Sequence, residues 1–170
     1  NPNPLVPTGT AELSVTTGVT TPTGTYPLTV VGAGGVVSHT IPVTLQVTEM
    51  AQPDLVVEQI TTDPPGLMND VPFTLTIRVR NQGSLETMET FQVDWYADPA
   101  SPPLRSTPGT GYWTQDGLGA GGTATFTATH TFHASGDHAL WAQVDRTEAV
   151  IEGDETNNLT GPVTVTATVQ

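Results

Sequence analysis

The chain has 170 residues, enough for one large or two small domains, and no cysteine, so it has no disulfide, thiolate metal site or cysteine nucleophile. Its formal net charge is -13, with 4 Lys+Arg residues against 17 Asp+Glu. Because nucleic acids and anionic membrane surfaces are bound by clustered basic residues, neither is expected as a partner. No stretch approaches the ~20 apolar residues of a membrane span, so no direct membrane insertion is expected. The 15 prolines disfavour long helices.

Apolar residues alternate along the first 48 residues, which is the pattern of half-buried strands. Three strands are predicted here, separated by turns rich in Gly, Pro and Thr. Their apolar members are Leu13 and Val15 in the first, Tyr26, Leu28 and Val30 in the second, and residues 37–47 in the third. We therefore expect a small β module over residues 1–48, followed by a linker over residues 49–53.

A second series of alternating segments begins at Asp54, interrupted by a proline-rich stretch over residues 98–111. Seven or so short strands with one apolar face are typical of a β-sandwich. The residues expected to face its core are Leu55, Val57, Phe73, Leu75, Ile77, Val79, Phe91, Val93, Trp95, Ala124, Phe126, Ala128, Phe132, Leu140, Ala142, Val144, Val163, Val165, Ala167 and Val169. The predicted fold class is all-β, with the sandwich over residues 54–170.

Several motifs of this second segment can be compared with a known family. They are Pro53-Asp54-Leu55-Val56-Val57, the 73–79 strand with Asn81-Gln82-Gly83, Gly117-Leu118 with Gly121-Gly122, and Val144-Asp145 followed by Glu152, Glu155, Asn157 and Asn158. In these motifs, residues 53–169 resemble CARDB, the cell-adhesion-related domain found in bacteria. The resemblance implies an immunoglobulin-like seven-stranded sandwich of surface or secreted proteins, often in tandem, without defined catalytic residues. The stretch 98–116 is longer than the usual loop of that family.

Residues 1–48 resemble the C-terminal half of another bacterial immunoglobulin-like module, through residues 21–26 and the 38–47 strand. Three strands alone bury little and leave open edges. The fragment could pack on the second domain, or be completed by an upstream segment. A neighbouring copy could also donate a strand, and such a head-to-tail contact builds a filament. The strand over residues 41–47 is predicted to lie at a contact between modules or between subunits.

Oxygen-bearing side chains are dense near the end of the chain, where a calcium site is one interpretation. The candidate ligands are Asp145, Glu152, Asp154, Glu155 and Asn157. Calcium takes six to eight oxygen ligands, but the spacing is not that of an EF-hand. The alternative is that these residues cap backbone amides of the turn. Zinc at His130, His133 and His138 is disfavoured, because residues 130 and 133 of an extended strand point to opposite faces.

Three aromatic residues are predicted to lie off the core face and to contact a ligand or partner: Tyr112, Trp113 and Trp141. Exposed aromatic rings stack on sugars or anchor protein partners. Tyr96 is also expected off the core face. The sequence Asn158-Leu159-Thr160 is a glycosylation sequon, which makes Asn158 a candidate for modification.

The function expected from these observations is that of a non-enzymatic structural or adhesive module of an extracellular bacterial or archaeal surface protein, and a filament subunit assembled by strand donation is one form of it. Its partners would be neighbouring immunoglobulin-like modules, identical subunits or surface glycans, and no catalytic residues or cofactor other than calcium are expected. The alternative is a carbohydrate-binding or accessory module of a secreted enzyme, which an aromatic platform would indicate.

Overall fold

The computed structural model of the chain describes residues 10, 12–18 and 20–169 and contains ten strands in two compact units, residues 1–50 and 51–170. The strands are β1 (Gly24–Gly34), β2 (Val37–Val47), β3 (Leu55–Asp63), β4 (Leu67–Met68), β5 (Phe73–Asn81), β6 (Thr87–Ala97), β7 (Gly111–Leu118), β8 (Thr123–His130), β9 (Gly136–Val144) and β10 (Leu159–Thr168). No helix long and apolar enough to cross a membrane is found in these described ranges.

The first unit is an antiparallel hairpin of β1 and β2, paired without interruption from Gly24↔Val47 to Gly34↔Val37. The pairing places most of the apolar side chains on one face and the threonines on the other, as period-two patterning requires. The apolar face carries Tyr26, Leu28, Val30, Ile41, Val43, Leu45 and Val47. The strand predicted at Leu13 and Val15 is wrong, because residues 12–18 adopt no regular structure.

The second unit is a sandwich of two sheets, which confirms the predicted all-β fold class. One sheet has five strands in the order β4-β10-β9-β6-β7, and the other has three in the order β3-β5-β8. All pairs are antiparallel except β10 with β4, which is parallel. The inner faces of both sheets contribute to one apolar core. Such a two-layer arrangement buries the single apolar face that each sheet presents.

The core follows the predicted alternation closely in the central strands. In β5 the buried residues alternate with exposed or half-buried Thr and Arg residues, and β9 buries Leu140, Ala142 and Val144 completely. A register shift between Val57 and Gln59 moves the next inward residue of β3 to Ile60, as a bulge does. Val169, predicted to face inward, is exposed because it lies beyond the end of β10.

The strands β3 and β10 run in the same direction on opposite sheets. Near their starts, Thr160 contacts the backbone of Val57, and at the far end Ala167 and Thr168 pair with Leu67 and Met68 of β4. The polypeptide therefore enters the sandwich at one pole, and β10 ends at the opposite pole. We call the pole at which β3 begins the entry pole.

The segment over residues 98–110, here called the strap, covers part of the outer face of the five-stranded sheet. Tyr96 lies beneath it and donates a hydrogen bond from its hydroxyl to the carbonyl of Thr107, at 3.0 Å. Tyr96 and Asp94 of β6 are consequently buried although their side chains point away from the core. The prediction that Tyr96 lies off the core face is correct, but the strap shields this residue from solvent.

Candidate functional site at the entry pole

Strand β3 is an edge strand, and side chains from the 152–160 turn cover its outward-facing backbone. Glu152 accepts a hydrogen bond from the backbone amide of Leu55, and Asn158 Nδ2 donates to the carbonyl of Leu55 at 3.3 Å. Asn158 also donates to Glu152 Oε1 at 2.7 Å, so the two side chains act as one unit. An unpaired edge next to a buried core would leave polar groups unsatisfied. These side chains therefore take the place of a neighbouring strand.

Further contacts join the same two segments on either side of Leu55. Thr160 Oγ1 donates to the carbonyl of Val57 at 3.0 Å, and Asn157 Nδ2 donates to Asp54 Oδ1 at 2.8 Å. The backbone amide of Gly153 donates to the carbonyl of Pro53 at 2.8 Å. We call this set of contacts between residues 53–57 and residues 152–160 the entry clasp. It connects positions about a hundred residues apart, so it forms only in the folded chain.

Asn81, at the end of β5, organises the remaining backbone of the entry pole. Its Oδ1 accepts from the amides of Asp54 and Gly83, and its Nδ2 donates to the carbonyls of Leu85 and Leu118. The side chain is fully buried, and its hydrogen-bonding capacity is fully used. Sequence reasoning treated this residue only as part of a strand-ending motif. The signal available was the polar residue at the end of an otherwise perfect apolar alternation.

Glu152 combines burial with two hydrogen-bond donors, and these act on its charge in opposite directions. Burial is the largest effect and raises the pKa of Glu152 to about 7. The hydrogen bonds from the amide of Leu55 and the side chain of Asn158 favour the carboxylate and lower this pKa, whereas the nearby charges of Glu155 and Asp145 raise it. Burial likewise raises the pKa of Asp145, although its carboxylate caps the amides of Ala149 and Val150 at 2.9 and 2.8 Å. Burial therefore favours the neutral form of these two carboxyl groups, which belong to the segment over residues 145–157, here called the acidic turn.

The five predicted calcium ligands lie in one turn, but each already has a protein partner. Asp154 caps the amide and hydroxyl of Thr156, which lowers its pKa, and Glu155 Oε1 accepts from the amide of Glu152 at 3.0 Å. Asp145 and Glu152 are engaged as described above, whereas Asn157 is engaged only through Nδ2 and its Oδ1 has no partner among the described residues. In the described part of the chain, no group of three or more His, Asp or Glu side chains is arranged to hold a metal ion. The geometry favours the capping interpretation, and calcium binding stays a prediction.

Two arginines link the strap to the acidic turn. Arg105 of the strap forms ion pairs with Glu148 and Glu155 and donates to the carbonyl of Glu155. Arg146 Nε lies 3.3 Å from Asp94 Oδ1, and its Nη1 donates to the carbonyl of Arg105 at 3.1 Å. A buried carboxylate such as Asp94 is tolerated only with a partner of this kind. The strap thus supplies positive charge to the most acidic region of the chain.

The histidines do not converge on a zinc site. His133 Nδ1 lies 2.8 Å from Asp70, whereas His138 Nδ1 lies 2.6 Å from Asp98 and its Nε2 lies 3.0 Å from the carbonyl of Ala134. Both partners of His138 are acceptors, so the ring satisfies them only as a doubly protonated imidazolium. Burial opposes that charge, but the bonds to Asp98 and Ala134 outweigh it, and the pKa of His138 is raised.

The three aromatic residues predicted to contact a partner do not share one surface. Tyr112 and Trp113 lie in β7, although both belong to the 98–116 stretch that was expected to be a loop, and their side chains point to opposite faces of the sheet. Trp113 stacks on Phe126 and packs against the core, so its predicted position off the core face is wrong. Tyr112 is 62% exposed, and Trp141 is half-buried opposite Tyr96. A platform made by all three is therefore ruled out.

The glycosylation prediction at Asn158 conflicts with the fold. The side chain is only 5% exposed, and its Nδ2 donates to Leu55 and Glu152. A glycan on Nδ2 would displace these bonds and could not be accommodated at the entry clasp. The sequon is better explained by the structural role of its Asn and Thr, both of which belong to the clasp.

The entry clasp, Asn81 and the acidic turn lie within a single match to a family model. Residues 52–161 match the model of the CARDB family, which is well over half of the chain. The chain belongs to the CARDB family. The match includes every residue of the clasp, so the contacts described above lie within the CARDB domain of this chain. A search of curated proteins found no match to the chain.

Solved structures support the same fold. A crystal structure of a CARDB domain from Pyrococcus furiosus, in complex with di-metal ions, is 23% identical, with a TM-score of 0.54, and the match covers 72% of this chain and 95% of that one. The solution structure of the same domain is 24% identical, with a TM-score of 0.53, covering 71% and 97%. A domain of a protein from Methanosarcina acetivorans, named as a cell surface protein, is 22% identical, with a TM-score of 0.50, covering 68% and 92%.

We expect Glu152→Gln to destabilise the CARDB domain by about 1–3 kcal/mol at pH 5, the cost of leaving a buried donor unpaired. A carboxyl group offers two acceptor oxygens to Leu55 and Asn158, whereas an amide offers one. The folded pKa of about 7 lies above the ordinary glutamate value of 4.5, so the stability that the protonated group contributes is lost as pH rises between these values. The penalty measured by urea unfolding should therefore shrink by pH 7.5. Glu86→Gln, at an exposed position, should have no effect; an equal effect of both changes would contradict the role of Glu152.

We expect His138→Gln to destabilise the domain at low pH more than at high pH. The folded pKa of His138 is raised, so its contribution is complete below the unfolded value of about 6.5 and is lost as pH rises through the folded value. Urea unfolding at pH 5.5 and pH 8.5 would measure this difference. His39→Gln, which removes an exposed imidazole of the hairpin, is the control. A penalty that is independent of pH would show that His138 acts by packing alone.

Proposed function

We propose that the chain is a non-enzymatic structural and adhesive module of an extracellular prokaryotic surface protein, and that it works in series with neighbouring modules. Membership of the CARDB family supports the adhesion-related role and the surface location. The observation that carries the series arrangement is the parallel course of β3 and β10, which places the start of the sandwich and the end of its last strand at opposite poles.

This geometry suits a domain that transmits force along its length. A pull applied at Pro53 and at the end of β10 acts along the strands, so the hydrogen bonds between them are loaded in shear. The parallel pair of β10 with β4 at one pole and the entry clasp at the other resist this load together. Several bonds must then break at once before a strand can slide.

The hairpin of β1 and β2 is the element proposed to contact neighbouring modules or identical subunits. An isolated two-stranded hairpin is marginally stable, and Val30, Ile41 and Val43 of its apolar face are exposed. Residues 24–47 contain no acidic or basic side chain except His39, in a chain of net charge -13. The hairpin is thus the segment where a second acidic chain can approach with little repulsion.

Strand donation in a filament would have to use the edges of this hairpin, where prolines restrict it. Pro27 and Pro42 lie two residue pairs apart in the register. The pairs of an antiparallel ladder alternate between hydrogen-bonded and non-hydrogen-bonded, so both prolines lie in pairs of the same kind. Proline has no backbone N–H, so a strand tolerates it where that N–H would point away from the partner strand, toward the outer edge of the hairpin. A donated strand would therefore lose a hydrogen bond in the middle of either edge. Contact through the apolar face fits the hairpin better than a continuous added strand.

We expect Ile41→Asp to weaken self-association of the full chain, because it places a charge on the apolar face. Thr40→Asp adds the same charge to the other face of the same strand and is the matched control. Sedimentation velocity over a range of concentrations would measure the effect as a loss of larger species. A chain that stays monomeric at high concentration, or two variants that behave alike, would argue against assembly through this face.

We expect Thr160→Val to lower the force at which the domain unfolds, since it removes the bond to Val57 without changing side-chain size, a loss of roughly 1 kcal/mol. Thr164→Val, at an exposed position of the same strand, should leave the force unchanged. Single-molecule pulling of tandem copies through their ends would measure both. Equal forces for the original chain and Thr160→Val would contradict a mechanical role for the clasp.

A further inference from the structure

Strand β8 forms one edge of the three-stranded sheet and lacks the features that usually protect an edge. It pairs with β5 along its full length without a register shift, and within the described ranges its backbone makes no hydrogen bond outside that pairing. Such an edge pairs with other strands unless charge, proline or a bulge prevents it. β8 contains no proline and no acidic or basic side chain except His130.

Each of the other strand edges in the described part of the chain carries one of these protective features. β3 has a register shift and is covered by the entry clasp, and β4 has only two residues. β7 carries the charge of Asp116, beside a register shift in its pairing with β6. Both strands of the hairpin contain an interior proline. The edge of β8 is therefore where a further strand can be added with the least hindrance.

The core-facing side chains of β8 are incompletely covered. Ala124, Phe126 and Ala128 are half-buried, although the residues of β5 that pair with them are completely buried. Phe126 is covered on one side by Trp113 of β7, with the two ring centres 5.4 Å apart. A strand added beside β8 would bury the apolar surface that remains exposed, which favours its binding.

The sequence of β8 indicates which strand fits this edge. Residues 123–129 read Thr-Ala-Thr-Phe-Thr-Ala-Thr, which is the same in both directions about Phe126. If two copies run antiparallel about a two-fold axis at Phe126, every residue faces one of its own type, and Thr125 lies opposite Thr127 of the second copy. Cross-strand pairs of threonines and of aromatic residues stabilise a sheet. Two chains of net charge -13 also repel each other least at a seam without acidic side chains.

We propose that two copies of the chain associate through β8, antiparallel and centred on Phe126, so that their three-stranded sheets form one continuous sheet. The contact is isologous, since the same strand serves in both copies. Because the paired strands run in opposite directions, the entry pole of one sandwich lies beside the opposite pole of the other.

This arrangement suits adhesion between identical molecules that extend from two facing cell surfaces, a meaning that rests on the adhesive role proposed above. A single strand edge buries little area, so the pair is weak in solution. Many copies on each surface would strengthen it through their high local concentration. The hairpin takes no part in the contact, so the two interfaces can be tested separately.

Disulfide trapping tests the register, because the chain has no cysteine of its own. Thr125→Cys and Thr127→Cys, both at exposed positions, would lie opposite each other in the pair, within the distance that a disulfide spans. The two full-length variants are mixed in equal amounts under mild oxidation, with one of them labelled with ¹⁵N. We expect mass spectrometry to find the mixed disulfide in excess of the proportion given by random collision.

The control mixture pairs Thr127→Cys with Thr61→Cys, which lies in the same row of the sheet at its other edge. This mixture should give only the random proportion of mixed disulfide. A random proportion in the first mixture as well would overturn the proposed contact. Adding Ile41→Asp to both variants should leave the excess unchanged, and its loss would assign the association to the hairpin and overturn the contact through β8.

Charged variants test the same contact by sedimentation velocity at high protein concentration. Glutamate at both positions, Thr125→Glu with Thr127→Glu, places like charges opposite each other and should weaken association about tenfold. Thr125→Lys with Thr127→Lys should do the same, whereas mixing the two double variants should restore association through opposite charges. Restored association also shows that both variants fold. Variants that associate no better mixed than alone would overturn the inference, whatever the outcome for the hairpin.

Discussion

The fold depends on hydrogen-bond partners for the backbone of Leu55. This backbone is buried at the open edge of β3 and has no neighbouring strand on that side. Glu152 accepts from its amide and Asn158 donates to its carbonyl, and two residues further on Thr160 donates to the carbonyl of Val57. The unpaired edge, usually a liability, becomes the place where the two sheets are joined by side chains. Because these partners lie about a hundred residues later, the edge is protected only when the sandwich is complete.

The acidic turn can therefore be understood without assuming catalysis. Asp145, Asp154 and Glu155 cap backbone amides, and the strap neutralises part of their charge through Arg105. Burial of Glu152 and Asp145 raises their pKa values, which couples the stability of the entry pole to pH. In the proposed load-bearing role, a first strand held by side chains would resist being pulled away from the sandwich.

Most of the sandwich could be predicted because its strands obey a period of two. Phe73, Leu75, Ile77 and Val79 face the core as the alternation requires, and the final hairpin motif identifies the family. The predictions failed where the assignment of a residue depended on which strand, if any, its segment pairs with, because the alternation of apolar residues does not contain that information. Trp113 was expected in a loop and off the core, but β7 extends through it and turns it inward onto Phe126. Leu13 and Val15 alternate in sequence without forming a strand, since a strand needs a partner to pair with.

The sequence by itself determined the all-β class, the position of the acidic turn and the lack of any lysine or cysteine, because these follow from composition and local periodicity. Only the tertiary structure decided what the polar residues of that turn do. Asn158 could be read as a glycosylation site and Glu152 as a metal ligand, until the fold placed both against the backbone of Leu55. The physical reason is that the role of a polar side chain depends on which buried donors and acceptors surround it, and those partners are distant in the chain.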